Sequence, residues 1–344
     1  VPAETDYYQD YQDGKDIALG DLTINKTVYP EAQLLKPSEL TAAIITAGGL
    51  IFVDNSDAAD LSFTISGASI NMGDIVLIGR YPERAQATIS GPELRCKYNA
   101  AFKNLHIAAS GNYNLFTTTN ATYDPTLHVE DCTVDAAYNV VYDSHNTQNF
   151  KSVYFGNSIV KMTVANKPFY STKSKGAYTQ QSIRFYAETP LQNYLINCGD
   201  RSQAFQTTRL QVEVTNNTIY NIYQPNIMIR AYVLAGLTVT KNVGYYTGVT
   251  AKNYLTGVYD TAGFTADKAE GTYNYLYTAP VSDTNFWSAK HTGSYTPANN
   301  QMGDGVEAPF SSMDAAKGYF PVDASVVKTG AGATYDTKAW FKAE

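Results

Sequence analysis

Three cysteines, Cys96, Cys132 and Cys198, are all that this 344-residue chain contains. An odd, sparse set excludes a disulfide framework, and the absence of a Cys-x-x-Cys pair removes the usual metal-binding spacing. The three thiols are expected to serve as small buried hydrophobes. Charge is also scarce, at 17% of residues, with 25 basic against 32 acidic side chains and a net charge of −7. No basic tract is present, so a nucleic-acid partner is not expected. No apolar run reaches the length needed to cross a bilayer, which excludes a transmembrane helix. The chain opens at Val1 on an acidic, tyrosine-rich stretch that reads as a mature start, compatible with a signal or lipid anchor upstream.

What the chain has instead is tyrosine, 28 of them, with abundant Thr and Asn. That mixture suits many short polar strands better than helices. Six words of one shape recur: FKNLHI (Phe102–Ile107), VEDCTV (Val129–Val134), YFGNSI (Tyr154–Ile159), LQNYLI (Leu191–Ile196), VTNNTI (Val214–Ile219) and VTKNVG (Val239–Gly244). Each opens on an apolar residue and carries Asn or Asp at its third or fourth place. Their starts lie 27, 25, 37, 23 and 25 residues apart, the mark of a solenoid. Asn at each bend tolerates left-handed backbone, and its amide can stack on the next.

A second ladder interleaves with the first: LFTTT (Leu115–Thr119), VYDSH (Val141–His145), FYSTK (Phe169–Lys173), FQTTR (Phe205–Arg209) and IMIRA (Ile227–Ala231). Two ladders with one period mean at least two strands per coil. The long interval in both predicts an insertion of about ten residues within Ser174–Pro190. So short a coil leaves no room for a helical repeat, and the leucine spacing of a leucine-rich repeat is absent. An all-β parallel β-helix remains. Residues 37–45 read as a short helix capped by Ser38, closing the open end of the stack. The chain thus divides into a leader and capping helix (1–49), the coils (50–260), and a segment (261–344) that loses the period. That last segment holds Trp287 and Trp340 and is expected to fold back on the stack as an irregular stretch with a final coil or cap.

The capping helix, the GDIVLIGR strand, the VTNNTIYNI word and the ending TGAGATYDTKAWF together resemble the secreted right-handed β-helix proteins of gut Bacteroidetes, the pectin-lyase-like domains of unknown function DUF4957 and DUF5123. The resemblance covers most of the chain. It implies a right-handed, pectin-lyase-like solenoid at the cell surface or in the periplasm, handling polysaccharide, in a family that often carries a lipid anchor.

Aligning the second ladder gives columns. The first, Leu115, Val141, Phe169, Phe205 and Ile227, is apolar and is expected to point inward. The second, Phe116, Tyr142, Tyr170, Gln206 and Met228, is then expected to face out as an aromatic strip. The fifth holds His145, Lys173 and Arg209 on consecutive coils, roughly 5 Å apart. Three cations cannot be buried unpaired, so this column is expected at a solvent-facing corner. An aromatic strip gives sugar rings a flat face, and a basic column answers uronate or sulfate, with Arg201 and Arg230 in support.

Three functions fit: a β-helix that binds or presents polysaccharide, with acidic glycans favoured; a polysaccharide lyase; or a structural or adhesive surface module. β-Helix lyases resembling the alginate and chondroitin type use a Lys base with Arg nearby, sometimes with Ca²⁺ on the carboxylate. Lys173, within Ser-Thr-Lys-Ser, matches that word, with Arg209 one coil later and His145 assisting. A Ca²⁺ site needs converging carboxylates, and Asp131, Asp135, Asp143 and Asp200 are scattered, so no metal or cofactor is assigned. β-Helix hydrolases need adjacent Asp residues, and no Asp-Asp pair occurs. If the protein is an enzyme, lyase is the expected class. His106 and His128 are expected to pack or to sit on the surface.

Overall fold

A computed structural model of the chain forms a parallel β-solenoid. It describes residues 4–109, 111–118, 124–143, 149–172, 176–193, 195–198, 210–223, 229–230, 233–245, 258–259, 265–277, 295–298, 301–303, 308–314, 316 and 318–333. Three long sheets are built from these, of eleven strands (sheet 1), ten (sheet 2) and eight (sheet 3). One coil contributes Ala100–Lys103, Leu105–Ala109 and Phe116–Thr118 to the three in turn. Every strand pairs in parallel with its counterparts one coil away. Phe102 lies between Leu77 and Val129, Ile107 between Ile89 and Val134, and Phe116 between Leu94 and Val141. The parallel β-helix expected from the repeat is therefore the fold. The ladders continue beyond residue 260, through Thr265–Thr272 and Tyr295–Ala298 in sheet 1 and Gln301–Gly303 in sheet 2.

The bend between sheets 1 and 2 explains the first set of words. Asn104, Asp131, Asn157, Ser182, Asn216, Lys241 and Tyr273 stack there, with φ between 45° and 57°. Asn and Asp reach this left-handed region at lower cost than other residues with a Cβ. The backbone N–H of Asp131 donates to the Gly156 carbonyl at 3.2 Å, and that of Asn157 to Gln181 at 3.1 Å, so the bend joins the inter-coil ladder. One place later the later coils carry Asn217, Asn242 and Asn274, all buried. Asn242 Oδ1 accepts from Asn217 Nδ2 at 2.8 Å, and Asn242 Nδ2 donates to Asn274 Oδ1 at 2.9 Å.

LQNYLI does not belong to this ladder. The fourth coil bends at Ser182, and Asn193 lies at the next corner, bonding the Val164 and Lys167 carbonyls. The position of the insertion changes accordingly. The connection from sheet 3 to sheet 1 runs from Tyr170 to Gly176 in one coil and from Ile196 to Leu210 in the next. Most of the added length thus falls after Cys198, not within Ser174–Pro190. A smaller irregularity lies between Tyr186 and Leu191, where the strand bulges.

Inside the coils, Phe102, Phe116, Phe155, Phe169 and Phe185 pack edge to face or tilted, with centroids 4.9–6.3 Å apart. Burying each such side chain is worth about 1.5–3 kcal/mol. The helix α2 (Ala42–Ala47) closes the first coil by adding Leu40 and Ile45 to this core. Its cap is Thr41, which accepts from the Ile44 N–H; Ser38 precedes it in a short 3₁₀ turn and bonds Asp60 instead. The helix stops at Gly48, at φ 80°, where a Cβ would meet the Asp74 carbonyl at 2.4 Å.

Two outer faces are apolar, and each is covered. The helix α1 (Tyr7–Gln12) and an antiparallel hairpin (Ile17–Leu19 with Leu22–Ile24) lie on sheet 1. Tyr11, Leu19 and Ile24 pack on Leu50, Phe52, Val76 and Ile78. Arg80 clamps this segment through Asp6, at 2.7–3.1 Å. Beside it Lys103 Nζ lies 2.6 Å from both Glu130 Oε2 and Asp131 Oδ2. Burial opposes its charge, but the two carboxylates outweigh burial and raise the lysine pKa. His128 meets Asp21 of the hairpin at 2.6 Å, and burial, stronger than that contact, lowers the imidazole pKa. Residues 308–333 return over sheet 2, with Phe310, Phe320 and Val327 on Ile159, Tyr186, Tyr220 and Val243. Phe320 stacks on Tyr220 at 4.1 Å. Cys96 and Cys132 are buried free thiols, while Trp287 and Trp340 lie outside the described residues.

The amide stack yields a test of the bend. Asn242→Ala removes the acceptor of the Asn217 N–H and amide and the donor to the Val214 carbonyl. Chemical denaturation is expected to show a loss of about 1–3 kcal/mol for each group left unpaired. A loss near zero would mean that the column contributes geometry alone.

Candidate functional site

Sheet 3 carries the aromatic strip expected from sequence, and its register corrects that expectation. At the corner before the sheet, Leu115, Val140, Phe169 and Leu195 are all buried. The first strand position is buried as well, holding Phe116, Val141, Tyr170 and Ile196 in one pairing column. Two consecutive inward residues break simple alternation, so VYDSH aligned one place out of step with its neighbours. Phe116 at 0% exposure and Tyr170 at 1% are core residues, not sugar platforms.

The next position holds Arg95, Thr117, Tyr142, Ser171 and Asn197, with Arg230 and Tyr259 continuing the backbone register. Arg95, Tyr142, Ser171 and Asn197 are partly exposed there, whereas Thr117 is buried. Of the described residues of the expected strip, Tyr142 stands in this row, half-buried, and Gln206 and Met228 lie outside the described residues. Arg95 pairs with Glu93 at 3.3 Å, and Glu93 accepts from the Thr117 hydroxyl at 2.7 Å. Asn197 Oδ1 is buried and has no hydrogen-bond partner among the described residues. None of the residues in this row belongs to the apolar clusters beneath α1, the hairpin or the returning segment.

His145, Lys173, Arg201 and Arg209 lie outside the described residues. The strands beside them bear on the proposed column, however. Tyr170–Thr172 pairs with Ile196–Cys198, so FQTTR is not the sheet 3 strand of its coil. Leu210, the residue after Arg209, begins the following sheet 1 strand and pairs with Gly176. In sequence, Lys173 therefore opens the connection that ends at Gly176, and Arg209 closes the following one, which ends at Leu210.

Sequence reading missed a second polar group on the uncovered part of sheet 2. His106 Nε2 lies 2.8 Å from Asp135 Oδ2, and its Nδ1 lies 3.1 Å from the Thr88 hydroxyl. Asp135 pairs in register with Lys161, which in turn forms an ion pair with Glu188 of the bulge. Burial disfavours the Asp135 carboxylate, but the His106 hydrogen bond and the charges of His106 and Lys161 prevail and lower its pKa. Asp135 and Lys161 share a column with Ala108, and His106 reaches Asp135 from two places away, where it pairs with Thr133, so sequence spacing carried no signal for the contact.

The order hydroxyl–imidazole–carboxylate suggests a nucleophile relay. The backbone argues against one, because Thr88 lies in a paired strand whose N–H groups serve the ladder and leave no oxyanion donors. A cleft of about 250 Å³ lies beside the group, at the bulge. Asp131, Asp135 and Asp143 bond separate partners, and no cluster of three metal-ligating side chains forms among the described residues.

The Asp135 contact sets a pH test. A carboxyl whose folded pKa is depressed contributes stability above its unfolded pKa of about 3.9, and that contribution is lost as pH falls through the lower folded value. An NMR titration is expected to place the Asp135 midpoint below that of a free aspartate, and His106→Ala is expected to raise it. A midpoint that His106→Ala leaves unchanged would remove His106 as the cause.

No protein-family model, curated protein or solved structure matches this chain.

Proposed function

We propose that this β-helix binds polysaccharide outside the cytoplasm, along the outer row of sheet 3. The observation that carries the reading is the contrast between faces. Sheets 1 and 2 have apolar outer positions and receive covering segments, whereas sheet 3 presents Arg95, Tyr142, Ser171 and Asn197, partly exposed and outside both covered apolar clusters. Successive coils repeat at about 4.8 Å, so the row offers polar groups along the axis, interrupted at the buried Thr117. A polymer laid along the solenoid meets an equivalent position on each coil, and Tyr142 offers a ring face among them.

The expected preference for acidic polymers rested on the column of His145, Lys173 and Arg209. Beside the row, Arg95 pairs with Glu93, and Lys161 on sheet 2 with Glu188. The reading is therefore polysaccharide binding without a requirement for uronate. Nothing described favours the lyase reading over this one.

Affinity electrophoresis of the intact protein through gels containing neutral and acidic polysaccharides tests the reading. Retardation by at least one polymer is expected, and Tyr142→Ala is expected to weaken it by about tenfold, as for loss of one aromatic contact. Retardation unchanged in both Tyr142→Ala and Arg95→Ala would overturn the assignment to sheet 3. A panel with no retardation would favour a structural surface module.

A further inference from the structure

The cleft at the bulge has a chemistry of its own. In sheet 2 Tyr186 pairs with Tyr220 and Leu191 with Ile222, so residues 187–190 step out of the ladder and raise one wall. Met162 and Ala187, both buried, and the partly buried Leu191 supply apolar surface. Lys161, Glu188, Thr163 and Thr189 supply ammonium, carboxylate and hydroxyl groups around it.

We infer that this cleft is a subsite for one uncharged pyranose unit, an inference that rests on the polysaccharide reading and deepens it. Its volume of about 250 Å³ falls below the roughly 300 Å³ at which pockets for drug-sized ligands begin, so it suits one ring rather than an oligomer. A pyranose has an apolar C–H face bordered by hydroxyls, and the cleft divides in the same way. Charge decides the class of sugar. Lys161 is ion-paired with Glu188, and its neighbour in register, Asp135, is itself bonded to His106, so the ammonium of the cleft already has a carboxylate and no further cation among the described residues lines it. A uronate would have to displace Glu188 or bind without a cation of its own. Neutral hydroxyls accept from Lys161 and donate to Glu188 while the ion pair stays in place, and such charge-assisted bonds are the strong ones.

Saturation-transfer NMR on the intact protein tests this, using methyl glycosides of glucose, galactose, mannose and N-acetylglucosamine against methyl glucuronide and galacturonide. At least one neutral glycoside is expected to receive more saturation than either uronide, chiefly at its ring C–H protons. Thr189 and Glu188 are exposed on the bulge, so their variants are expected to keep the wild-type circular dichroism and melting temperature. Thr189→Trp fills the mouth and is expected to abolish the signal. Glu188→Gln is expected to weaken neutral binding by about tenfold, the size of one hydrogen bond to a charged group, and to raise the uronide signal by freeing Lys161. Stronger uronide saturation in the wild type, no response to any glycoside, or unchanged binding in a folded Thr189→Trp protein each overturns the inference. Polymer retention that needs Tyr142 but survives Thr189→Trp overturns the subsite and leaves the sheet 3 reading intact. Neutral-glycoside binding without any polymer retention does the reverse.

Discussion

One backbone ladder, closed coil against coil, governs the rest of this molecule. Each strand spends its N–H and C=O groups on the coils before and after it, so every chain position is stacked on a fixed counterpart. A stacked position must tolerate its own repetition at about 4.8 Å. Apolar residues do so inside the coil, as Leu77, Phe102, Val129 and Phe155 show in sheet 1. A left-handed bend does so when its residue accepts positive φ. A buried Asn does so because its amide is donor and acceptor at once, which is how Asn217, Asn242 and Asn274 satisfy one another.

The same repetition creates a problem on the outside, because a solenoid of this width has three outer faces and little interior. Where outward positions are apolar, a further layer has to cover them. Val76 and Ile78 in sheet 1 are buried because Leu19 and Ile24 lie on them, and Tyr220 and Val243 in sheet 2 because Phe310 and Phe320 do. The first cover is fastened electrostatically at its edge, through Asp6 on Arg80 and Asp21 on His128. The second is fastened mainly by aromatic stacking, with the Arg184 guanidinium donating to the Gly318 carbonyl at 3.1 Å.

The period was legible in the sequence because four of the seven positive-φ bends between sheets 1 and 2 carry Asn or Asp, which reach that region at lower cost than other residues with a Cβ. The faces were less legible. Leu115 and Phe116 both point inward at a corner, so counting alternation from the corner residue placed Phe116 and Tyr170 outside when they are core. Ser182 at the fourth bend carries no amide, which allowed Asn193 at a different corner to pass for the repeat. The covers were partly legible, since the long aromatic-rich end of the chain was expected to fold back. The N-terminal helix and hairpin were read as a leader, because six-residue and three-residue elements leave too little periodicity to detect.

Two lysines, Lys103 on sheet 1 and Lys161 on sheet 2, show how position decides the use of a charge. Lys103 is 7% exposed and held between Glu130 and Asp131, beside the N-terminal cover. Removing one partner of such a buried group leaves an uncompensated charge, which costs about 3–5 kcal/mol. Its geometry is thus committed to the fold. Lys161 and Glu188 form an ion pair too, but with side chains 29% and 53% exposed. An exposed pair contributes about 0–1 kcal/mol, so the fold loses little if a ligand shares either partner. The pair stands beside an apolar-floored cleft on a stretch of sheet 2 where Glu188 and Thr189 are exposed. That combination of low structural cost and adjacent cavity separates Lys161 from Lys103 as a group free to recognise something else.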